Sequence, residues 1–240
     1  MTIQLSALVL LGLTLIEPTV SHVQGIDVED GTLWVSAVDA VARTGVLSRH
    51  DLVSGRRLAA VDLQDGARYH PGGMQVDGEV VWLPVAEYRR TSSTWIQKRD
   101  KHTLKLLSQF KVPDHIGCVA VAGGFVWGGN WDAMRIYRWR EDGTLIDVRD
   151  NPSGVRYQDM KYVDGTIVAS GLRRRGEGAI DWLDPETLAV RRRIVTTATD
   201  RQVTYTHEGM AVRDGVLYLL PEDTPSRLFR FRLPRETPGS

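Results

Sequence analysis

The sequence contains one cysteine, Cys118, which excludes an intramolecular disulfide. It also lacks net charge, because 30 lysine and arginine residues balance 30 aspartate and glutamate residues. A neutral chain has no global field that would attract nucleic acid or anionic lipid. We therefore expect no nucleic-acid partner, and the fold must be stabilised without disulfide crosslinks.

Long hydrophobic runs are also scarce. The N-terminal run, residues 5–16, is apolar but too short to span a membrane comfortably. Its length would suit a signal peptide, yet no lysine or arginine precedes it and no small-x-small cleavage site follows. The alternative is an outer β-strand that the fold needs. We favour the strand, and with it a cytoplasmic rather than a secreted protein.

No long segment has the 3.6-residue periodicity of an amphipathic helix. The apolar runs are short, rich in Val, Leu, Trp and Thr, and interrupted by Gly and Asp, as β-strands are. Residues 69–88 show the pattern best, because two apolar strands flank an Asp77-Gly78 turn. An Asp-Gly pair in this setting strongly predicts a β-hairpin.

The chain repeats this hairpin five times. The copies begin at His22, His70, His115, Tyr157 and His207, which lie 42 to 50 residues apart. Their turns fall at Asp30-Gly31, Asp77-Gly78, Gly123-Gly124, Asp164-Gly165 and Asp214-Gly215. A second hairpin follows each of the first four. A period of this size with paired strands is typical of propeller blades.

We therefore predict an all-β, five-bladed β-propeller with four-stranded blades and a single domain over residues 1–240. The fifth copy supplies one strand too few before the chain ends. An open edge with unpaired backbone groups would be a liability. We expect the N-terminal strand, residues 5–16, to complete the fifth blade.

Polar residues that could bind a ligand or transfer protons lie at one end of these hairpins. In a propeller the start of each inner strand and the end of the next strand meet at the mouth of the central channel. Four of the six histidines begin a repeat, and imidazole can both ligate metals and transfer protons near neutral pH. The other two, His50 and His102, are expected at the surface, and Cys118 is expected to pack in the core.

We assign the following candidate roles. The candidate metal ligands, for a divalent metal such as iron or zinc, are His22, His70, His115 and His207. The candidate catalytic residues are Glu87, Glu208, Glu222 and Arg173, of which the arginine could hold an anionic group. The candidate substrate-binding residues are Tyr157, Asp132, Asn130 and Gln24. The alternative is that the histidines cap the inner strands by hydrogen bonds, with no metal and no ligand.

The chain resembles a bacterial and fungal family of unknown function, and the resemblance implies a propeller without an assigned activity. The segments that carry it are Tyr69-His70-Pro71-Gly72-Gly73, Trp82-Leu83-Pro84-Val85-Ala86-Glu87-Tyr88, Asp114-His115-Ile116-Gly117, Tyr157-Gln158-Asp159 and Leu220-Pro221-Glu222-Asp223. In combination they cover nearly the whole chain from His22 to Leu233.

A looser resemblance is to the five-bladed glutamine cyclotransferases. Gln24-Gly25-Ile26 and Glu208-Gly209-Met210 look like the step that opens their blades. The histidines at the repeat starts depart from that family's pattern, so the resemblance does not carry the activity over. Larger propellers that hold a catalytic iron on four histidines are similar only in residue type.

Three functions remain open. The first is a small-molecule-binding enzyme of lyase, cyclase or hydrolase type with a histidine-rich, metal-binding site. The second is a non-catalytic propeller that binds a ligand or a protein. The third is a metal-independent, cyclotransferase-like enzyme. The sequence contains no HExxH, no glycine-rich phosphate loop and no GxSxG motif that would decide among them. For all three we favour a monomer.

Overall fold

The computed structural model describes residues 1–173 and 176–234, and these form a five-bladed β-propeller. Blade one contains β3 (Val23–Glu29), β4 (Thr32–Asp39), β5 (Thr44–Asp51) and β6 (Arg57–Asp62). Blade two contains β7 (Arg68–Pro71), β8 (Gln75–Asp77), β9 (Val80–Glu87), β10 (Thr94–Asp100) and β11 (Leu106–Val112). Its inner strand is divided into β7 and β8, and both pair with β9.

The other three blades follow the same antiparallel order. Blade three contains β12 (Ile116–Ala122), β13 (Phe125–Asn130), β14 (Arg135–Arg140) and β15 (Leu145–Asp150). Blade four contains β16 (Arg156–Val163), β17 (Thr166–Leu172), β18 (Gly178–Leu183) and β19 (Val190–Thr196). Blade five contains β20 (Glu208–Arg213), β21 (Val216–Pro221) and β22 (Arg227–Arg232). The predicted fold class is confirmed.

The N-terminal run completes the fifth blade, as predicted. Strand β2 (Val9–Leu15) pairs antiparallel with β22, from Val9 opposite Arg232 to Leu15 opposite Arg227. The structure adds a second contact that the sequence did not predict, because β1 (Thr2–Gln4) pairs in parallel with β19 of blade four. A 3-10 turn at Leu5–Ala7 joins the two strands. The N-terminal segment thus connects blades four and five.

Two kinds of turn recur around the ring. The inner hairpins turn at left-handed residues, for example Asp30 and Gly31 with φ of 47° and 71°. Such φ values suit the twist of a two-residue hairpin. In the outer hairpins an aspartate caps the turn, as Asp51 does by accepting hydrogen bonds from both N–H and O–H of Ser54 at 2.7 Å. Asp100 and Asp184 cap equivalent turns in blades two and four.

Apolar side chains fill the spaces between blades. Cys118 is buried there, as predicted. The prediction for His50 is wrong, because this side chain is buried in blade one between Ser48 Oγ at 3.0 Å and the carbonyl oxygen of Gly55 at 3.1 Å. The alternation that places His50 inward becomes visible only when its strand is paired. His102 is exposed, as expected.

The described residues contain no helix with the length and apolar character that crossing a bilayer requires.

Candidate functional site

The mouth of the channel brings together the ends of neighbouring strands. Strand β20 begins at Glu208 and its partner β21 ends at Pro221, so His207 and Glu222 lie side by side. The backbone N–H of Glu222 donates to the carbonyl oxygen of His207 at 2.5 Å. This pairing places an imidazole and a carboxylate from the two ends of one hairpin at the same point.

Glu222 is the centre of the polar cluster. Its Oε1 lies 2.7 Å from His22 Nδ1 and its Oε2 lies 3.8 Å from His207 Nδ1. The hydrogen bond from His22 lowers the pKa of the Glu222 carboxyl, against the opposing effect of partial burial. Glu222 is therefore an ionised carboxylate between two imidazoles.

Glu208 has the opposite electrostatic environment. It is buried, and its Oε1 lies 3.1 Å from His207 Nε2. Burial raises the pKa of Glu208 well above its ordinary value, and the nearby Glu222 and Asp159 carboxylates raise it further. Burial thus favours the neutral form of Glu208, and the pKa of His207 is itself lowered, mainly by burial.

A cleft of about 440 Å³ opens over this cluster between blades four and five. His207 and Glu222 line it, and so do two arginines, Arg156 and Arg173. The remaining lining residues are Leu172, Gly176, Gln202, Val203 and Thr204. The cleft therefore combines proton-transfer groups with cationic groups that suit an anionic substituent.

Aromatic rings and the other three histidines occupy the opposite part of the mouth. His70 stacks on Tyr88 with ring centroids 4.3 Å apart and lies nearly parallel to Trp131 at 5.8 Å. His115 packs edge-on against Trp131 at 4.4 Å. His22 joins the two parts, since its Nε2 lies 3.1 Å from the Tyr88 hydroxyl.

The four histidines do not form one ligand set. Among the described residues, one group of side chains has its ligand atoms all within 4.8 Å of one another, and it consists of His207, Glu208 and Glu222. An imidazole with two carboxylates suits iron, zinc or manganese. The arrangement thus offers one predicted histidine and two predicted glutamates as a three-residue ligand group.

Sequence comparison places the chain in a family. The sequence profile of DUF6454, a family of unknown function, matches residues 39–177. The chain belongs to this family. No curated protein sequence matches it.

Solved structures show that the DUF6454 fold is shared more widely. A glutaminyl cyclase from Myxococcus xanthus is similar with a TM-score of 0.71 and 16% identity, over 93% of this chain and 95% of that chain. The WD40 domain of Pan2 from Neurospora crassa is similar with a TM-score of 0.50 and 11% identity, over 83% of this chain and 56% of that chain. At these identities the similarity establishes the propeller fold.

Several predicted site residues of this DUF6454 member have structural partners elsewhere. Tyr157 is buried in blade four, where its hydroxyl donates to Asp181 Oδ2 at 2.6 Å. Asn130 accepts the N–H of Arg135, and Asp132 pairs with Arg90 at 2.5 Å. Glu87 pairs with Arg89 at 2.7 Å, and buried Gln24 donates to the carbonyl oxygen of Val23. Of the predicted catalytic residues, Glu208, Glu222 and Arg173 therefore lie with histidines at the mouth. The five residues with partners elsewhere lie outside that cluster.

Sequence reasoning missed Tyr88, Trp131 and Arg156. Tyr88 and Trp131 directly follow the second strands of blades two and three, where the segment leaving each strand returns to the mouth. This position, one residue after Glu87 and one residue after Asn130, is the sequence signal that could have identified both aromatic residues as part of the mouth. Both rings contact histidines of the mouth.

Proposed function

We propose that the cleft is the active site of an enzyme that transfers protons on a small polar molecule carrying an anionic group. The observation that carries the proposal is the pair of carboxylates on either side of His207, one buried and neutral and the other ionised. Carboxylates whose environments separate their pKa values are suited to acid and base roles.

The roles follow from the geometry. His22 accepts the proton that is taken from the substrate, and the ionised Glu222, 2.7 Å from His22 Nδ1, stabilises the resulting positive charge. Glu208 gives its proton to His207 Nε2, 3.1 Å away, while His207, which lines the cleft, gives the proton on Nδ1 to the leaving group. Arg156 and Arg173 hold the anionic group by charge-assisted hydrogen bonds. This chemistry fits lyase, cyclase or hydrolase reactions.

Three substrate classes separate these reactions. Glutaminyl dipeptides test cyclisation with ammonia release, 3-hydroxy acids test dehydration, and γ-lactones that bear a carboxylate test hydrolysis. The shared fold with a glutaminyl cyclase and the Glu208-Gly209-Met210 step support including the first class. We expect turnover of one class by the purified protein.

Substitution then tests the assignment. Glu208→Gln and Glu222→Gln keep the side-chain volume and should each lower kcat by about 100-fold or more, the usual contribution of acid–base catalysis. Glu186→Gln is the matched control, because Glu186 is exposed in the outer hairpin of blade four, where it pairs with Arg138. Absence of turnover in all three classes, or full activity of both site variants, contradicts the proposal.

A second candidate is a divalent-metal enzyme, supported by the ligand group of His207, Glu208 and Glu222. In that case Glu208 is ionised and bound rather than neutral. Dialysis against zinc, manganese or ferrous iron followed by elemental analysis should then give about one metal per chain. His207→Ala should lose this metal and His115→Ala should retain it. Equal metal content in the two variants rules the site out and leaves the metal-independent enzyme.

A further inference from the structure

Three side chains from three blades form a continuous hydrogen-bonded row at the mouth. The Tyr88 hydroxyl lies 3.1 Å from His22 Nε2, and His22 Nδ1 lies 2.7 Å from Glu222 Oε1. A carboxylate oxygen accepts, so the hydrogen of His22 is on Nδ1 and Nε2 accepts the hydrogen of the phenol. One imidazole tautomer therefore satisfies both contacts.

The backbone holds His22 in an unusual conformation to make this row. Its φ is 28°, in the left-handed region that a non-glycine residue rarely adopts. Its carbonyl oxygen accepts the N–H of Val38 at 3.0 Å, which ties the residue to blade one. Backbone conformations of this kind concentrate at functional sites.

The Tyr88 ring is fixed and accessible. It stacks on His70, with ring centroids 4.3 Å apart and planes within 18° of parallel. Tyr69 contacts it edge-on at 6.1 Å. Tyr88 remains 38% exposed, so a molecule in the mouth can contact it.

We propose that Tyr88, His22 and Glu222 form a hydroxyl–imidazole–carboxylate triad in which Tyr88 is a catalytic residue. This proposal rests on the proposed function, because both use Glu222. The amine or hydroxyl nucleophile of the substrate gives its proton to the Tyr88 oxygen as the phenol hydrogen moves to His22 Nε2. The resulting imidazolium is stabilised by the Glu222 carboxylate, as in other triads. The substrate class is thus a molecule with an attacking N–H or O–H group.

Sulfonyl fluoride labelling tests the triad without the natural substrate. With phenylmethanesulfonyl fluoride, the Tyr88 oxygen forms a bond to sulfur, fluoride leaves, and the phenol proton goes to His22 Nε2. Peptide mass spectrometry should show Tyr88 labelled about tenfold faster than Tyr69, since a neighbouring base activates only Tyr88. Tyr69→Phe keeps the ring contact and should leave labelling of Tyr88 unchanged.

Removal of the base, His22, or of its carboxylate partner, Glu222, tests whether the triad activates Tyr88. His22→Ala and Glu222→Gln should reduce Tyr88 labelling to the Tyr69 rate. If exposure alone controlled the rate, His22→Ala would label Tyr88 faster than the wild type, since loss of the imidazole uncovers the Tyr88 ring. A His22→Ala protein of unchanged melting temperature whose Tyr88 reacts as fast as in the wild type overturns the triad.

A further variant separates this proposal from the proposed function. Glu208→Gln removes the neutral acid next to His207, so it should lower kcat by about 100-fold or more while Tyr88 labelling persists. Full turnover of Glu208→Gln with normal labelling contradicts the proposed acid but supports the triad. Once a substrate is known, Tyr88→Phe should lower kcat about 100-fold with little change in KM. Unchanged kcat in Tyr88→Phe refutes the catalytic role.

Discussion

His70 and His115 show how burial fixes the charge of single residues at the mouth. Burial lowers the pKa of His70 to about 3 and that of His115 to about 4, and for His70 the neighbouring imidazoles add to the effect. Both rings are therefore neutral between pH 5 and 8. They contribute aromatic packing rather than charge, in contrast to the ionised Glu222 nearby.

This burial makes stability depend on pH. The pKa values of the folded state lie below the ordinary 6.5, so between pH 6.5 and about 4 the unfolded chain binds more protons. Stability must then fall as the pH decreases through this window, by about 1.4 kcal/mol per pH unit for each imidazole. Between pH 7.5 and 5.0, urea unfolding of the wild type should show about 2 kcal/mol more loss than that of His70→Phe. His102→Gln, which alters an exposed imidazole, should keep the wild-type decline, and an equal decline in His70→Phe refutes the prediction.

Residue types at the mouth were predictable, but their partners were not. His22, His207, Glu208 and Glu222 could be placed there because repeat alignment identifies strand starts and strand ends. Tyr157 shares that alignment, yet its ring points into blade four and its hydroxyl meets Asp181. Side-chain direction at a strand start depends on local bulges such as the register shift after Tyr157, which no pattern of residue types reveals.

At the scale of elements, the N-terminal segment connects two blades. The alternate residues of β2 that face solvent are apolar, and Val9 is the most exposed of them. Leu5 and Ile16, which flank β2, are buried in the apolar clusters that join blade five to blades four and one, respectively. Both ends of the segment are therefore anchored in the apolar core.

Neighbouring residues at the end of this segment allow a matched test. Ile16 is 1% exposed, whereas Leu15 is 47% exposed. Ile16→Ala should lower the free energy of unfolding by about 2–5 kcal/mol, as loss of a buried aliphatic side chain does. Leu15→Ala should cost less than about 1 kcal/mol, since it leaves no cavity. Urea denaturation of both variants measures the difference, and equal costs contradict a buried closing strand.

Most elements followed from sequence because hairpin turns are local signals. The Asp-Gly turns fix strand boundaries within one hairpin, and the count of strands predicted the closure of blade five. Strand β1 could not be predicted, since three residues are too few to show periodicity and their partners in the parallel strand β19 lie 191 residues away.

At the scale of the whole molecule, buried polar side chains link the blades across the channel. Asp159 of blade four accepts the N–H groups of Ile26 in blade one and Met210 in blade five, both at 3.0 Å. Gln75 of blade two bonds the backbone of Val121 and Tyr162 in blades three and four. The ring is therefore closed at its axis by hydrogen bonds as well as at its rim by β2.

The buried ion pair between Asp159 and Lys161 should be energetically coupled through this axis. Its atoms lie 2.5 Å apart and both side chains are at most 2% exposed, so removal of either partner leaves an unpaired charge. Asp159→Asn and Lys161→Met should each cost about 3–5 kcal/mol. The double variant should cost less than their sum by about 0.5–3 kcal/mol in urea unfolding. The more exposed pair Lys98 and Glu141, at 2.8 Å, is the control and should couple by less than about 1 kcal/mol. Additive costs at the axis would show that the backbone bonds of Asp159, rather than its pairing with Lys161, hold the blades together.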